Sequence, residues 1–283
     1  MLIPQISVVH LVQAKNGIAP FHTFLNSYKA YRAGIPHGLV FVFKGFRSEP
    51  TEYEPLLGGL SHSKLVVSDD GYDIGAYVTA ASQLNGDYVA FFNSFSELLH
   101  DDWLATLFAG ATGQLVGAVG ATGSWESTYS DHLYGCTNVR SRIPLEAIVR
   151  SLKRRWTLTR LRRYFQPQPN PHLRTNAFLL NRRTLLALSG SRPRTKMQAM
   201  RFESGVGGMT DQLAALGLGV VIVGRDGKSY PAQKWPASNT FRSGRQENLL
   251  VADNRTRQYD QADEATKQWL AKLAWGGAGS SPS

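Results

Sequence analysis

Hydrophobic positions run in unbroken blocks through the first half of the chain. QISVVHLVQ at 5–13 and GLVFVFKG at 38–45 are continuous and β-branched, the pattern of parallel strands covered on both faces. Between them PFHTFLNSYKAYRAG spaces Phe21, Phe24, Leu25, Tyr28 and Tyr31 at helical intervals, and Gly34 supplies a stop. A strand, a helix and a strand in so short a span form a βαβ unit, whose crossover is right-handed. The rhythm then repeats: KLVVSDD, DYVAFFN and QLVGAVGA read as strands, and DIGAYVTAASQL and HDDWLATLFAG as helices.

That alternation predicts an α/β fold with a doubly wound, mostly parallel sheet, whose ligand lies beyond the C-terminal strand ends. The polar clusters fall at those ends: Gln13 to Asn16, Ser68 to Asp70, and Asn93 to Glu97.

After Trp125 the pattern breaks. Residues 126–171 read as an insertion, irregular at first and then basic, with SLKRRWTLTRLRRYF at roughly helical spacing until prolines end it. From 172 the α/β texture returns with HLRTNAFLLNRRTLLAL, FESGVGGMTDQLAALG and the strand GVVIVGRDG. Residues 230–259 show little periodicity and read as an irregular surface wrap. We expect one domain over 1–275 and a disordered tail, GGAGSSPS, at 276–283.

No apolar run approaches the ~20 residues that a membrane-spanning helix needs. The start of the chain reads as the first strand, without the marks of a secretory leader. The lone Cys136 fits a reducing compartment, so a cytoplasmic location is expected. A formal charge of +10 favours anionic partners without choosing among them.

The stretch VVSDDGYDIGAYVTAASQLNGDYVAFFNSFSELLHDDWL has a small polar loop, a glycine, a helix, then Gly-Asp-Tyr-Val leading an apolar strand into a polar loop and a second helix. It resembles the nucleotide-sugar-binding half of GT-A glycosyltransferases, particularly the large inverting family that builds bacterial polysaccharides. The resemblance covers most of 5–125 and, more loosely, 172–227. It implies a GT-A-like fold and transfer of a sugar from a nucleotide diphosphate sugar to a hydroxyl of a glycan, polysaccharide or lipid-linked acceptor.

The resemblance also assigns roles. Asp69 and Asp70 match the acidic strand end that approaches the nucleoside; Asp73 reads as a helix cap. Asn93 and Ser94 face the diphosphate, with Gln13 nearby. Arg174 and Asn176 lie under the acceptor. Glu203 matches the acidic residue at a helix N-terminus that takes the acceptor's proton, with Asp211 as a second carboxylate and Ser204 where the family has an acid.

In the family the fourth strand ends in a D-x-D-like motif that holds Mn2+ or Mg2+ on oxygen ligands against the diphosphate. Here Asn93 and Phe95 stand at the two acidic positions, and a phenyl ring ligates nothing. No residue is therefore assigned to a metal. Three explanations remain open: Glu97, Ser94 or Ser96 substitutes; cations such as Lys15, Arg174, Arg182 or Arg242 replace the ion; or transfer activity is lost.

Two further readings concern partners. Residues 150–163 set Leu152, Trp156, Leu158 and Leu161 beside a row of arginines and lysines. That pattern suits peripheral contact with an anionic membrane face as well as it suits a solvated helix packed on the domain. The rival to a transferase is an inactive nucleotide-binding or scaffolding protein on the same fold, or a basic nucleic-acid module. No nucleic-acid motif accompanies the charge, so no nucleic-acid partner is expected.

Overall fold

The protein is described by a computed structural model, covering residues 5–135 and 144–279. Its strands are β1 (Ile6–Gln13), β2 (Gly38–Lys44), β3 (Ser63–Val67), β4 (Tyr88–Phe92), β5 (Glu97–Leu98), β6 (Val116–Gly120), β7 (Gly123–Ser124), β8 (His172–Leu173), β9 (Ala177–Asn181), β10 (Gly219–Val223), β11 (Ser229–Pro231) and β12 (Val251–Ala252). Eight of them form one sheet in the order β11-β10-β6-β9-β4-β1-β2-β3. The expected strands all form, and the sheet is mostly parallel. Only β9, wedged between β4 and β6, and β11, on the edge, run antiparallel.

Side chains alternate across the sheet as the pleat requires. Val9, Leu11, Val40, Val42 and Phe91 face helices Tyr72–Gln83, Lys196–Ser204 and Met209–Ala215. Val8, Val12, Phe41, Phe43 and Phe92 face helices Ala19–Ala30 and Trp103–Ala111. Both faces are dry, which is why these strands read as unbroken apolar runs rather than alternating ones. His10 belongs to the second face. It stacks on Phe24 with ring centroids 3.7 Å apart, and burial drives its pKa down to about 3, so it is a neutral aromatic of the core.

Several expectations are corrected. The insertion is more regular than its start suggested: helices Thr128–Gly135 and Pro144–Arg162 occupy much of it. Residues 230–259 do not wrap the surface. Trp235, Phe241, Leu250 and Val251 are fully buried, β11 extends the sheet, and β12 pairs with β5. Large side chains at irregular spacing carry no period, so their burial leaves no trace in the pattern. A further helix, Glu264–Trp275, follows and buries Leu270, Ala274 and Trp275. Of the tail, 276–279 form a 3-10 turn, and 280–283 lie outside the described residues, as does Cys136.

Candidate functional site

The C-terminal ends of β1, β2, β3, β4 and β6 open on one side of the sheet. Because β9 runs the other way, its N-terminal end lies there too. Gln13 closes β1, Lys44 closes β2, Asp69 and Asp70 follow β3, Asn93 and Ser94 follow β4, and Asn176 precedes β9.

The first half of this cleft is electrostatic. Lys44 is 2% exposed, while Asp69 is 73% exposed. The Lys44 ammonium donates to the Asp69 carboxylate at 2.5 Å and to the Asp69 carbonyl at 2.7 Å. That hydrogen bond and the lysine charge hold the Asp69 carboxyl below its ordinary pKa, with Lys15 assisting. Gly45 makes the approach possible. It sits at φ +75°, where a side chain is strained, and a Cβ there would meet the Asp69 carboxyl carbon at 3.3 Å.

Asp73 lies deeper. Gln13 donates its side-chain amide to the Asp73 carboxylate. Burial raises the Asp73 pKa and Glu203 adds to the rise, while Lys15, Gln13 and Lys44 oppose it. Asp73 is not the helix cap; Gly71 holds that position in left-handed geometry, and Tyr72 after it also has φ +55°. The strained Tyr72 is exposed, two residues after Asp70.

Glu203 sits at the other end of a helix from where it was expected. It lies in the last turn of Lys196–Ser204, because Thr195 starts that helix with a capping box and Gly205, Gly207 and Gly208 separate it from the next. Its carboxylate accepts the Thr175 backbone N–H at 3.0 Å and the Thr175 hydroxyl at 2.8 Å. Asp211 accepts the Gly207 N–H at 2.8 Å and so serves its own helix start.

The second half of the cleft is neutral. Asn93 takes its side-chain oxygen back to the Phe95 N–H and the Ser96 hydroxyl, and its backbone N–H donates to the Asn176 carbonyl at 2.8 Å. The Asn176 side-chain oxygen accepts from Thr122 at 2.7 Å. Three buried polar groups here have no protein partner: the Asn176 side-chain N–H2, the Ser94 hydroxyl and the Gln13 side-chain oxygen. Buried polar groups left unsatisfied cost about 1–3 kcal/mol each, and these three gather where neighbouring strands end.

Arg174 does not face the cleft. It is 8% exposed, bound to Asp253 at 2.6 Å and to Thr122 at 3.1 Å, with its guanidinium 4.1 Å from the Phe241 ring centroid. Arg242 pairs with Glu126 at 2.6 Å in the same buried region. Arg182 follows β9 at the opposite end of the strands, donating to the Ala81 and Gly86 carbonyls. Of the arginines and lysines read as diphosphate clamps, Lys15 alone is exposed at the cleft, and Lys44 joins it. Lys44 was missed, although a lysine ending the otherwise apolar strand GLVFVFK was a visible signal.

The strand end after β4 does not fit a divalent ion. Phe95 offers no ligating atom, and Glu97 is paired with Arg257 at 2.9 Å while the same guanidinium binds the Phe95 carbonyl. Ser96 is spent on Asn93 and Asn176. Among the described residues, no three His, Cys, Asp or Glu side chains converge as a metal site.

No protein-family model and no curated protein matches the chain. Among solved structures, it is similar to a mannosyltransferase from Pyrobaculum calidifontis in complex with GDP-Man and Mn2+: 13% identity, TM-score 0.47, covering 84% of this chain and 61% of that one. It is also similar to a glucosyl-3-phosphoglycerate synthase from Mycobacterium tuberculosis in complex with Mn2+, UDP and glucosyl-3-phosphoglycerate: 16% identity, TM-score 0.38, covering 64% of this chain and 58% of that one. The chain thus spans about three fifths of the length of each.

Proposed function

We propose that this chain is a glycosyltransferase that moves a sugar from a nucleotide diphosphate sugar to a hydroxyl of a glycan, polysaccharide or lipid-linked acceptor, with inversion. The observation that carries the reading is the cleft at the strand ends. There the partnerless Gln13, Ser94 and Asn176 groups lie at the ends of β1, β4 and β9, beside the Lys44–Asp69 pair.

In this reading Asp69 and Asp70 grip the nucleoside, with the exposed Tyr72 ring beside them. Ser94 and the amide of Asn176 donate to the diphosphate, and Lys15 and Lys44 supply positive charge where a metal-using enzyme would place its ion. Glu203 takes the proton from the acceptor hydroxyl as its oxygen attacks the anomeric carbon. The bond from that carbon to the diphosphate oxygen breaks, and the nucleoside diphosphate leaves with the electron pair. One displacement with one base inverts the configuration.

Two details favour a second reading, a nucleotide-binding protein without transfer activity: the Glu203 carboxylate is already engaged by Thr175, and Phe95 occupies a position where the resembling family has an acid.

The deciding experiment screens UDP, GDP, dTDP and CMP and their sugar conjugates by thermal shift, each with Mn2+, Mg2+ or EDTA, and then measures nucleotide release with the donor that binds. Binding that survives EDTA, with release abolished in Glu203→Gln, is the expected result. Binding without release under any condition favours the second reading, and no binding overturns both.

The basic helix is assigned to the same work at an anionic membrane surface. Leu161 and Phe165 are buried against the domain, whereas Leu152 and Trp156 are 60% and 66% exposed among exposed Lys153, Arg154, Arg155 and Arg160. Among the described residues no helix is long and apolar enough to cross a membrane.

A further inference from the structure

A second pocket, of about 220 Å³, lies between the loop at 189–193 and the helix Lys196–Ser204. None of the cleft residues named above lines it. Its walls include Arg192, Pro193, Gln198, Arg201, Phe202 and Val206.

Two arginines line this pocket, and no carboxylate among the described residues forms an ion pair with either. Arg201 lies over the Tyr164 ring, 4.3 Å from its centroid, and its buried Nε has no partner. Stacking fixes the plane of a guanidinium and leaves its edge available for an oxyanion. Arg192 is exposed on the loop opposite.

The frame around them is held in place. Gln212 donates to the Ser189 and Gly207 carbonyls and accepts the Ser189 N–H, tying the two rims together. Gln198 accepts the Arg194 and Thr195 N–H groups, which anchors the loop to the helix start. Asp211, in the first turn of the next helix, accepts the Gly207 N–H.

Size and charge narrow the occupant. Pockets for drug-sized ligands run from about 300 Å³ upward, so this one suits a smaller molecule and not a nucleotide sugar. Two guanidinium groups match the roughly −1.5 to −2 charge of a phosphomonoester near neutrality, and Arg forks suit its oxygens. Pro193, Phe202 and Val206 offer an apolar wall for the rest of the molecule.

We propose that this pocket binds a small organic phosphomonoester, with the phosphate between Arg192 and Arg201 and the organic body against Pro193, Phe202 and Val206. The inference stands apart from the transfer reading: although Phe202 adjoins Glu203 in sequence, the pocket shares no residue with the cleft.

The test uses phenyl phosphate and benzoate as probes, titrated calorimetrically into the full chain and into Arg192→Gln and Arg201→Gln. Arg192 is exposed, so Arg192→Gln keeps the fold, and thermal melting checks both variants. The expected result is phenyl phosphate binding tighter than benzoate, weakened at least tenfold by either substitution, with nucleotide binding measured in parallel unchanged. The proposal is overturned if phenyl phosphate does not bind the wild type. It is also overturned if binding is indifferent to Arg192→Gln, or if Arg192→Gln weakens nucleotide binding equally.

Discussion

The buried ammonium of Lys44 and the exposed carboxylate of Asp69 meet at 2.5 Å, joining the ends of two neighbouring strands. The lysine also holds the Asp69 carbonyl, so the pair sets the path of the chain into the Asp69–Asp70 turn. Asp69→Asn should lower stability by about 1 kcal/mol at pH 7, discounted for the exposed carboxylate, or near 2 °C in Tm. The folded-state pKa of Asp69 is depressed, so its contribution is present above the ordinary carboxylate pKa and fades as pH falls through the folded value. Melting of both proteins from pH 7 down to 3 should show the gap closing in acid; a gap that widens there refutes the pairing.

Glu203→Gln is expected to reduce turnover by about 10²–10⁴-fold, the usual scale for a lost general base. The amide oxygen can still accept from Thr175, so folding and nucleotide binding should persist. Equal turnover in the two proteins would remove Glu203 from the reaction.

Arg174 and Asp253 form a buried pair, and Asp253 also caps its helix by accepting the Arg255 and Thr256 N–H groups. Burial alone would raise the Asp253 pKa, but Arg174 and those N–H groups hold it low. Asp253→Ala strands a buried guanidinium and uncaps the helix, which should cost about 3–5 kcal/mol in denaturant unfolding. Nucleotide affinity of the remaining folded protein should change little, unlike the outcome for a substrate-binding pair.

Burial, with help from Glu126, raises the Asp131 pKa to about 6, against opposing His132, Arg242 and Arg255. A raised folded-state pKa contributes stability below the unfolded value that is lost as pH rises through about 6. Asp131→Asn should therefore match the wild type near pH 3, below the ordinary carboxylate pKa, and exceed it by about 1 kcal/mol at pH 8, discounted for its partial exposure. Paired melts across that range check the sign.

Sedimentation with phosphatidylserine vesicles, against phosphatidylcholine controls, tests the basic helix. Binding should require the anionic lipid, weaken with salt and fall several-fold in Trp156→Ser. Equal binding to both lipids would mean that charge has no part.

Local pattern was enough to foretell the sheet, because a strand dry on both faces must be largely apolar, and β1, β2 and β4 are. It also placed Gln13, Asp69, Asn93 and Ser94 at strand ends, since a polar residue closing such a run can only fall there. What it could not reveal was which charges meet. Arg174 and Asp253 are 79 residues apart, Arg257 and Glu97 are 160 apart, and Arg174 looked free for a ligand until the fold paired it. Glu203 moved to a helix end because the upstream cap at Thr195 and the glycines from 205 to 208 decided the helix bounds. Burial and strand position follow from the chemistry of neighbouring residues, whereas ion pairing and pocket formation depend on distances between segments that only tertiary packing sets.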